Sequence, residues 1–331
     1  MAEFISSFIT GFQNVIAEDL PKRISGCKIL NVYDGLIHYR FDGDSRLIAK
    51  IPYFNNNFFV LKIMKGKGLN FPSLVGNVCS EKKYFLINKG TFRVRFNNEN
   101  QFAKVDKNIS KRAEEWVLRN SRLSLDRLSP VTEIWYAIRR EGFAYCGQLI
   151  SKREFTEKNL NKGELRPEIA YLLNSYAEIK KDDVLCDPFS GYGSIPAQAS
   201  QNFKFAHFYS SDIDKSKIDL IKSKCCGNDQ RFSINQCDAF ELNEIQDSSV
   251  NTVITDPPWG FFEDIEDITE FYNKMFVSFK RILKDDGRMV ILSARIENFE
   301  EAAEKNRVEI ISKFSTLVNG KKATVYKARF L

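Results

Sequence analysis

The 331 residues are 43% hydrophobic and 28% charged, which is enough for one large domain or two modest ones and excludes a disordered or fibrous chain. No apolar run approaches the roughly 20 residues of a bilayer-spanning helix, so no membrane role is expected, and only two histidines, His38 and His207, leave almost no material for a zinc site or a His-based triad. The net charge of +6 is uneven: residues 1–165 hold 27 Lys and Arg against 17 Asp and Glu (+10), while residues 166–331 hold 22 against 26 (−4), so a basic front half is expected to meet a polyanion.

In chain order, Phe4 to Ile9 reads as a strand, and Phe12, Val15, Ile16 and Leu20 stand at helical spacing up to Pro21, which should stop the helix. Lys28–Tyr33 and Leu36–Phe41 alternate like strands around Asp34-Gly35, a hairpin signal. A short helix leads to Ile51-Pro52, and Asn57–Ile63 is another strand. Thr91-Phe92-Arg93-Val94-Arg95-Phe96 alternates apolar and basic residues, as a strand with one exposed face should. Lys107–Arg119 reads as a helix with Ile109, Ala113, Trp116 and Val117 on one face and Lys111 and Arg112 on the other. Thr132–Arg139 and Phe143–Ile150 are strands joined through Glu141-Gly142. Together they form an α+β platform with cationic outer faces.

Residues 153–164 are polar and charged and read as a linker. Arg166-Pro167-Glu168 then opens a helix, with Pro at its first position and Glu in its first turn. From here strands and helices alternate, the mark of a doubly wound parallel sheet. The strands are Val184–Cys186, Ala206–Ser210, Phe232–Gln236, Val250–Thr255 and Met289–Leu292. The helices are Ser194–Ser200, Lys215–Cys226, Asp267–Leu283 (ended by Asp286-Gly287) and Ile296–Lys305. Two last strands, Val308–Leu317 and Thr324–Phe330, flank Asn319-Gly320 and should close the sheet as an antiparallel hairpin. The seven cysteines form no CxxC pair, only Cys225 and Cys226 being adjacent, and Met1-Ala2-Glu3-Phe4 lacks a basic leader; reduced thiols and a cytoplasmic location are expected.

The chemistry gathers at strand ends. Asp187-Pro188-Phe189-Ser190-Gly191-Tyr192-Gly193 follows the first strand of the parallel sheet, where open α/β folds bind ligands. Gly191 and Gly193 let backbone approach a ligand closely, and Asp187 suits an ammonium rather than a phosphate. Asp212 ends the second strand about twenty residues on, where a carboxylate can accept both hydroxyls of a ribose. Asp214 is the competitor, read as a helix cap. Asp238 ends the third strand and can accept from an adenine amine. Asp256-Pro257-Pro258-Trp259 ends the fourth: two prolines without N–H groups stiffen a turn that displays a carboxylate and an indole. Such a turn can grip a planar molecule that carries an amine.

This combination resembles the class I S-adenosylmethionine-dependent methyltransferases that act on exocyclic amines of nucleobases, whose signature Asn/Asp-Pro-Pro-aromatic it matches without a mismatch. The resemblance implies that Asp256 and the Pro257 carbonyl accept from the target NH₂ while Trp259 stacks on the base, with Pro258 completing the catalytic turn. Acceptors that localise the lone pair help where charge develops, and alignment supplies most of the rest, so no strong base is needed. S-adenosylmethionine is the expected cofactor, contacted by Asp187, Phe189, Gly191, Gly193, Asp212, Ile213, Asp238, Ala239 and Asp256. No metal is expected.

Thr91-Phe92-Arg93-Val94-Arg95 and Leu123-Ser124-Leu125-Asp126 resemble a THUMP domain. Thr10-Gly11-Phe12-Gln13 and Asp34-Gly35-Leu36 resemble the ferredoxin-like segment before it, and Leu165-Arg166-Pro167 resembles the family's entry helix. Together these resemble the THUMP-containing RNA guanine-N2-methyltransferases, which implies a tRNA acceptor-stem substrate with THUMP holding the 3′ end. The expected division is a ferredoxin-like segment at 1–60, a THUMP-like RNA-binding domain at 61–152, a linker at 153–164 and a Rossmann-like methyltransferase domain at 165–331. Arg93, Arg95, Lys111, Arg112 and Arg166 are the expected RNA contacts, and a monomer is the expected state. Guanine N2 of rRNA, or adenine N6 or cytosine N4 of DNA or RNA, would be served by the same motif, and a non-catalytic RNA-binding protein is the reading from another class.

Overall fold

A computed structural model describes residues 2–153, 160–223, 229–261 and 265–331. The chain divides into two compact units, one of Met1–Phe8 with Ala17–Glu154 and one of Ile9–Ile16 with Phe155–Leu331.

In the order of the chain, the first elements are β1 (Glu3–Ser7), α1 (Gln13–Arg23), β2 (Lys28–Tyr33), β3 (Leu36–Arg40), α2 (Arg46–Ala49) and β4 (Asn56–Lys65). Then follow α3 (Phe71–Cys79), β5 (Lys89–Asn98), β6 (Gln101–Phe102), α4 (Lys107–Asn120), β7 (Arg122–Leu125), β8 (Thr132–Arg139) and β9 (Phe143–Lys152). The first unit is built on one sheet in the order β2-β3-β1-β4-β9-β8-β5-β6, with β7 beside β5. Its pairs are antiparallel except β5 with β7 and β5 with β8. The expected boundary between 60 and 61 falls inside β4, which pairs along β9 from Asn56 to Lys65 with a register shift between Val60 and Lys62. One ladder therefore joins the two stretches expected as separate domains.

Four local outcomes differ from the sequence reading. The helix α1 runs past Pro21 to Arg23. Pro21 sits in the last turn, where few ladder bonds depend on it, and the buried Leu20 and Ile24 are held by Ile24 N–H donating to the Leu20 carbonyl at 3.0 Å. Three elements were not expected, α3, the two-residue β6 and β7. In α3, Asn70 caps by accepting from Ser73 N–H (2.9 Å), and Leu74, Val75 and Val78 are buried. They pack with Ala113, Trp116 and Val117 of α4 against Phe92, Ile134 and Tyr136 of the sheet, so both helices cover one face of it.

The second unit continues with α5 (Pro167–Tyr176), β10 (Val184–Asp187), α6 (Ser194–Asn202), β11 (His207–Asp212), α7 (Lys215–Ile221), β12 (Phe232–Gln236) and β13 (Val250–Thr255). It ends with α8 (Ile268–Ile282), β14 (Leu283–Ser293), α9 (Ile296–Lys305), β15 (Val308–Val318) and β16 (Lys321–Phe330). Cys225 and Cys226, expected at the end of the helix from Lys215, lie outside the described residues. Asp267 caps α8 by accepting from Glu270 N–H at 2.9 Å. That helix hands over to β14 at Leu283, earlier than the Asp286-Gly287 stop, because Leu283 already pairs with Val250 across an irregular register.

The strand order is β12-β11-β10-β13-β14-β16-β15. The five strands β10 to β14 pair in parallel, and β16 enters antiparallel between β14 and β15. This is the parallel sheet with an antiparallel terminal hairpin read from the sequence. Tyr272, Met275, Phe276 and Phe279 of α8 and Phe299 of α9 are fully buried against Cys186, Val253, Met289 and Tyr326. Burying each such side chain is worth about 1.5–3 kcal/mol. The direction of winding reverses between β10 and β13, and ligands of open α/β sheets bind outside the strand C-termini at such a point.

Candidate active site

β10 and β13 lie side by side, so Asp187 and Thr255 finish at the same edge. The Thr255 hydroxyl donates to Asp187 Oδ1 at 2.7 Å. Phe189 N–H donates to the same oxygen at 3.3 Å, while Oδ2 is buried and has no hydrogen-bond partner among the described residues. Asp187 is 1% exposed, and its burial outweighs the hydrogen bonds and raises the carboxyl from its usual 3.8 to about 7. An acid held this way gains most from a cation brought beside it.

The loop after Asp187 is folded onto the next strand. Ser190 donates through its hydroxyl to the Asp187 carbonyl (2.8 Å) and through its N–H to the Ser211 carbonyl (2.9 Å). Gly191 and Gly193 have φ of +52° and +79°, which a side chain would strain, and Gly193 is the cap of α6. A Cβ at Gly191 would meet nothing nearer than the Phe189 carbonyl at 3.9 Å, so the space beside this backbone is open.

Asp212, at the end of β11, closes the loop from the other side. Its Oδ2 accepts from Gly191 N–H at 2.8 Å and its Oδ1 from Asp214 N–H at 3.0 Å. Asp214 caps α7 through Ser216 N–H at 2.9 Å, the helix-cap role read for it. Ile213, directly after Asp212, is left 69% exposed, an apolar surface next to the acid. Beyond β12, Asp238 spends one oxygen on Phe240 N–H (2.9 Å), and Ala239 is buried. The structure therefore brings Asp187, Gly191, Gly193 and Asp212 into one bonded cluster and sets Asp238 on the loop after the neighbouring strand.

Asp256-Pro257-Pro258-Trp259 leaves β13 at the same edge. Pro257 is buried; Asp256, Pro258 and Trp259 are partly exposed. The Trp259 indole N–H donates to the Leu292 carbonyl at 3.4 Å, and the Trp259 and Phe261 rings stand edge to face with centroids 6.3 Å apart. Arg295, which the sequence reading missed, holds this turn: Nε donates to the Trp259 carbonyl at 2.7 Å and Nη2 to the Gly260 carbonyl at 3.3 Å. Arg295 N–H in turn donates to Ser293 Oγ at 3.0 Å, and Ser293 shares a 2.9 Å hydrogen bond with the buried Tyr272 hydroxyl. Burial pushes the Tyr272 phenol up to about 12. The signal for Arg295 was its position just past the fifth parallel strand, the rule that found the four acids.

The expected RNA contacts are less uniform. In β5 the partner of Arg93 across the ladder is Glu133, and Arg93 Nε donates to that carboxylate at 2.7 Å. Arg95 lies 3.8 Å from the same group and 4.8 Å from the Phe102 ring centroid. Both arginines are largely covered, at 23% and 33% exposure, where the alternation had suggested an open cationic face. The cause is that β5 lies between β8 and the short β6 and β7 rather than at an edge. Arg166 donates to the buried Glu168 at 2.7 Å, the counter-charge a buried carboxylate needs. Lys111 and Arg112 are exposed, Lys111 at 74% and 3.9 Å from Glu115. Among the described residues there is no cluster of His, Cys, Asp and Glu fit for a metal ion, and no helix long and apolar enough to cross a membrane.

Residues 153–324 match the family model described as UPF0020, RMKL-like, methyltransferase domain. Over 360 aligned residues, covering 91% of this chain and 93% of the other, the chain is 22% identical to a tRNA (guanine(6)-N2)-methyltransferase of Methanocaldococcus jannaschii. Over 131 residues, 39% of this chain and 25% of the other, it is 28% identical to the U6 snRNA (guanine-N(2))-methyltransferase THUMPD2 of Bos taurus. The crystal structure of TrmN from Thermus thermophilus superimposes with a TM-score of 0.80 over the full length of both chains at 18% identity, a likeness of fold.

Proposed function

The chain belongs to the UPF0020 family, the RMKL-like methyltransferase domain, and on that premise we propose that it transfers a methyl group from S-adenosylmethionine to the exocyclic N2 of a guanosine in RNA, in the acceptor stem of tRNA. The reading rests above all on the Thr255 to Asp187 hydrogen bond of 2.7 Å, which locks the donor-side strand end to the strand end that carries Asp256-Pro257-Pro258-Trp259. Guanine N2 is favoured over adenine N6 and cytosine N4 because relatives matched along this chain carry guanine-N2 names on tRNA and U6 snRNA. The basic front half, which we read as ferredoxin-like and THUMP-like, supplies phosphate contacts through residues such as Lys111 and Arg112. The setting for such a reaction is the cytoplasm.

The site fits the donor on two observations: the buried Asp187 Oδ2 lacks a partner among the described residues, and the backbone at Gly191 borders open space. Asp187 would hold the α-ammonium, Asp212 the ribose hydroxyls, Asp238 the adenine amine, and Phe189, Ile213 and Ala239 the apolar surface. When bound, S-adenosylmethionine supplies an electrophilic methyl on a sulfonium. The chain does the rest. The Asp256 carboxylate and the Pro257 carbonyl accept from the target NH₂ and localise its lone pair. Trp259 stacks on a base taken out of its helix. After transfer the excess N2 proton would pass by way of the Asp256 carboxylate to solvent water, since no strong base is needed to deprotonate a cationic amine.

The test incubates the full chain with S-adenosylmethionine and unmodified tRNA transcripts and analyses the nucleosides. N2-methylguanosine at an acceptor-stem position is the expected product. N6-methyladenosine or N4-methylcytidine in its place overturns the base assignment, and the absence of any methylated nucleoside overturns the activity on tRNA.

A further inference from the structure

We propose that Arg295 is a positioning residue for methyl transfer, which sets the pitch of the Trp259 ring by clamping the main chain of the catalytic turn from outside. Resting on the reading of Trp259 as the surface for the target base, this gives the end of β14 a part in alignment, beside the acidic strand ends that hold donor and amine.

The turn has little means of holding itself. Pro257 and Pro258 have no N–H to donate, and among the described residues no main-chain hydrogen bond closes the stretch from Asp256 to Gly260. Its last two carbonyls are held from the end of β14 instead. Arg295 Nε and Nη2 donate to the carbonyls of Trp259 and Gly260 at 2.7 and 3.3 Å, and the Leu292 carbonyl accepts the Trp259 indole N–H at 3.4 Å. Leu292 thus takes the edge of the ring and Arg295 the backbone that carries it. Gly260 has a φ of +66°, and a Cβ there would stand 3.7 Å from Arg295 Nη2, so the guanidinium lies along bare backbone. A guanidinium presents its donors in a rigid plane and can hold two adjacent carbonyls at a fixed separation, which an ammonium cannot.

Arg295 is itself fixed. Its backbone N–H donates to Ser293 Oγ at 3.0 Å, and Ser293 shares a 2.9 Å hydrogen bond with the buried Tyr272 hydroxyl of α8. Phe271, the neighbour of Tyr272, packs on Phe189 in the loop after β10 with ring centroids 5.6 Å apart. The same turn of α8 therefore braces the donor loop on one side and the clamp on the other. In-line transfer depends on that spacing, since a misplacement of about 1 Å costs on the order of a hundredfold. A Trp259 ring free to tilt still binds a base but presents its amine off line, so the clamp acts on turnover and not on affinity.

The experiment compares wild type, Arg295→Gln, Arg295→Lys, Trp259→Ala and the double variant Arg295→Gln with Trp259→Ala in steady-state methylation of tRNA. Arg295→Gln should lower kcat about tenfold, with KM for tRNA, the salt slope of filter retention and the calorimetric affinity for S-adenosylmethionine unchanged. Arg295→Lys, which keeps one of the two bonds, should recover part of the loss. In the Trp259→Ala background, where no ring is left to position, the same change should cost about twofold or less. An undiminished cost in that background overturns the proposal. A lowered salt slope does so too, because it makes Arg295 a phosphate contact, and a lost affinity for S-adenosylmethionine does so because it marks general damage. A second readout needs no turnover. The emission of Trp259, taken as the difference between each protein and its Trp259→Phe version, should be quenched more readily by acrylamide in Arg295→Gln than in wild type, and equal quenching overturns the clamp. If wild type fails to methylate guanosine while that quenching still changes, the clamp stands and the guanine reading falls.

Discussion

The two sheets of this protein handle charge in opposite ways. In the seven-stranded sheet, β10 to β14 run in parallel, so every carboxyl end reaches the same edge. Asp187, Asp212, Asp238 and Asp256 meet there although they lie far apart in sequence. In the nine-stranded sheet most neighbours are antiparallel, and successive strand ends alternate between edges. Its cations are spread over faces and helices, and several, such as Arg93 and Arg95, are partnered internally. A parallel sheet concentrates chemistry at a point, and an antiparallel one disperses contacts over a surface. The first arrangement suits a reaction and the second suits a long polyanion.

The largest effect should separate the two regions outright. Asp256→Ala should lower methyl transfer about a hundred- to a thousandfold, the cost of removing one group that stabilises developing charge, and leave tRNA retention on filters unchanged. Parallel loss of both would erase the division of labour.

A smaller effect sharpens the donor end. Asp187→Asn should weaken S-adenosylmethionine about ten- to a hundredfold by calorimetry, since a charge-assisted hydrogen bond is worth about 1.5–3 kcal/mol. The wild-type affinity should also depend on pH with a definite sign. Asp187 is held protonated up to about 7, and an ammonium needs its anion, so affinity should rise about tenfold per pH unit below that value and level off above it. The folded state obeys the opposite sign. The native chain binds this proton more tightly than the unfolded one, so the group costs stability as pH rises from the ordinary carboxylate range through about 7. Asp187→Asn should therefore melt no lower than wild type at pH 8. A lower melting temperature, or an affinity flat with pH, breaks the assignment.

The smallest effects belong to the nine-stranded sheet. Lys111→Ala or Arg112→Ala should weaken tRNA about threefold each and reduce the salt slope by about one, with kcat held. Arg93→Ala should behave differently, losing about 1 kcal/mol of stability by denaturant titration because Glu133 loses its directly hydrogen-bonded arginine and keeps only Arg95 at 3.8 Å and the Trp135 indole N–H, with less change in the salt slope. If Arg93→Ala reduces the slope as Lys111→Ala does, the covered arginines are RNA contacts after all.

How far the site was legible depended on the residue. Asp187 and Asp256 stand at the ends of short apolar runs, Asp212 closes the next strand after Ser210-Ser211, and Gly191 lies in the turn that follows Asp187; position at a strand end in an alternating α/β pattern is visible in one dimension. Arg295 follows the same rule but has neither a glycine turn nor an acid to mark it, and only the carbonyls of Trp259 and Gly260 reveal its part. The helix α3 was hidden because Phe71 to Cys79 contains Pro72 and Gly76, and its helical state is settled by the burial of Leu74, Val75 and Val78 against α4. The first-unit boundary was hidden because β4 reads identically whether it ends a small domain or continues into a larger sheet.

By itself the sequence determined the order of the elements from β10 onward, the hairpin at Asn319-Gly320, and the stiff acidic turn at Asp256-Pro257-Pro258-Trp259. These follow from periodicity, turn chemistry and proline's missing donor, all of them local. The tertiary structure alone decided which strands lie next to each other. That adjacency joins Thr255 to Asp187, sets Glu133 against Arg93, and brings Lys321 and Arg295 onto one phenylalanine. Side chains far apart in sequence become partners only through strand register, which hydrogen bonds between distant segments set and no single segment encodes.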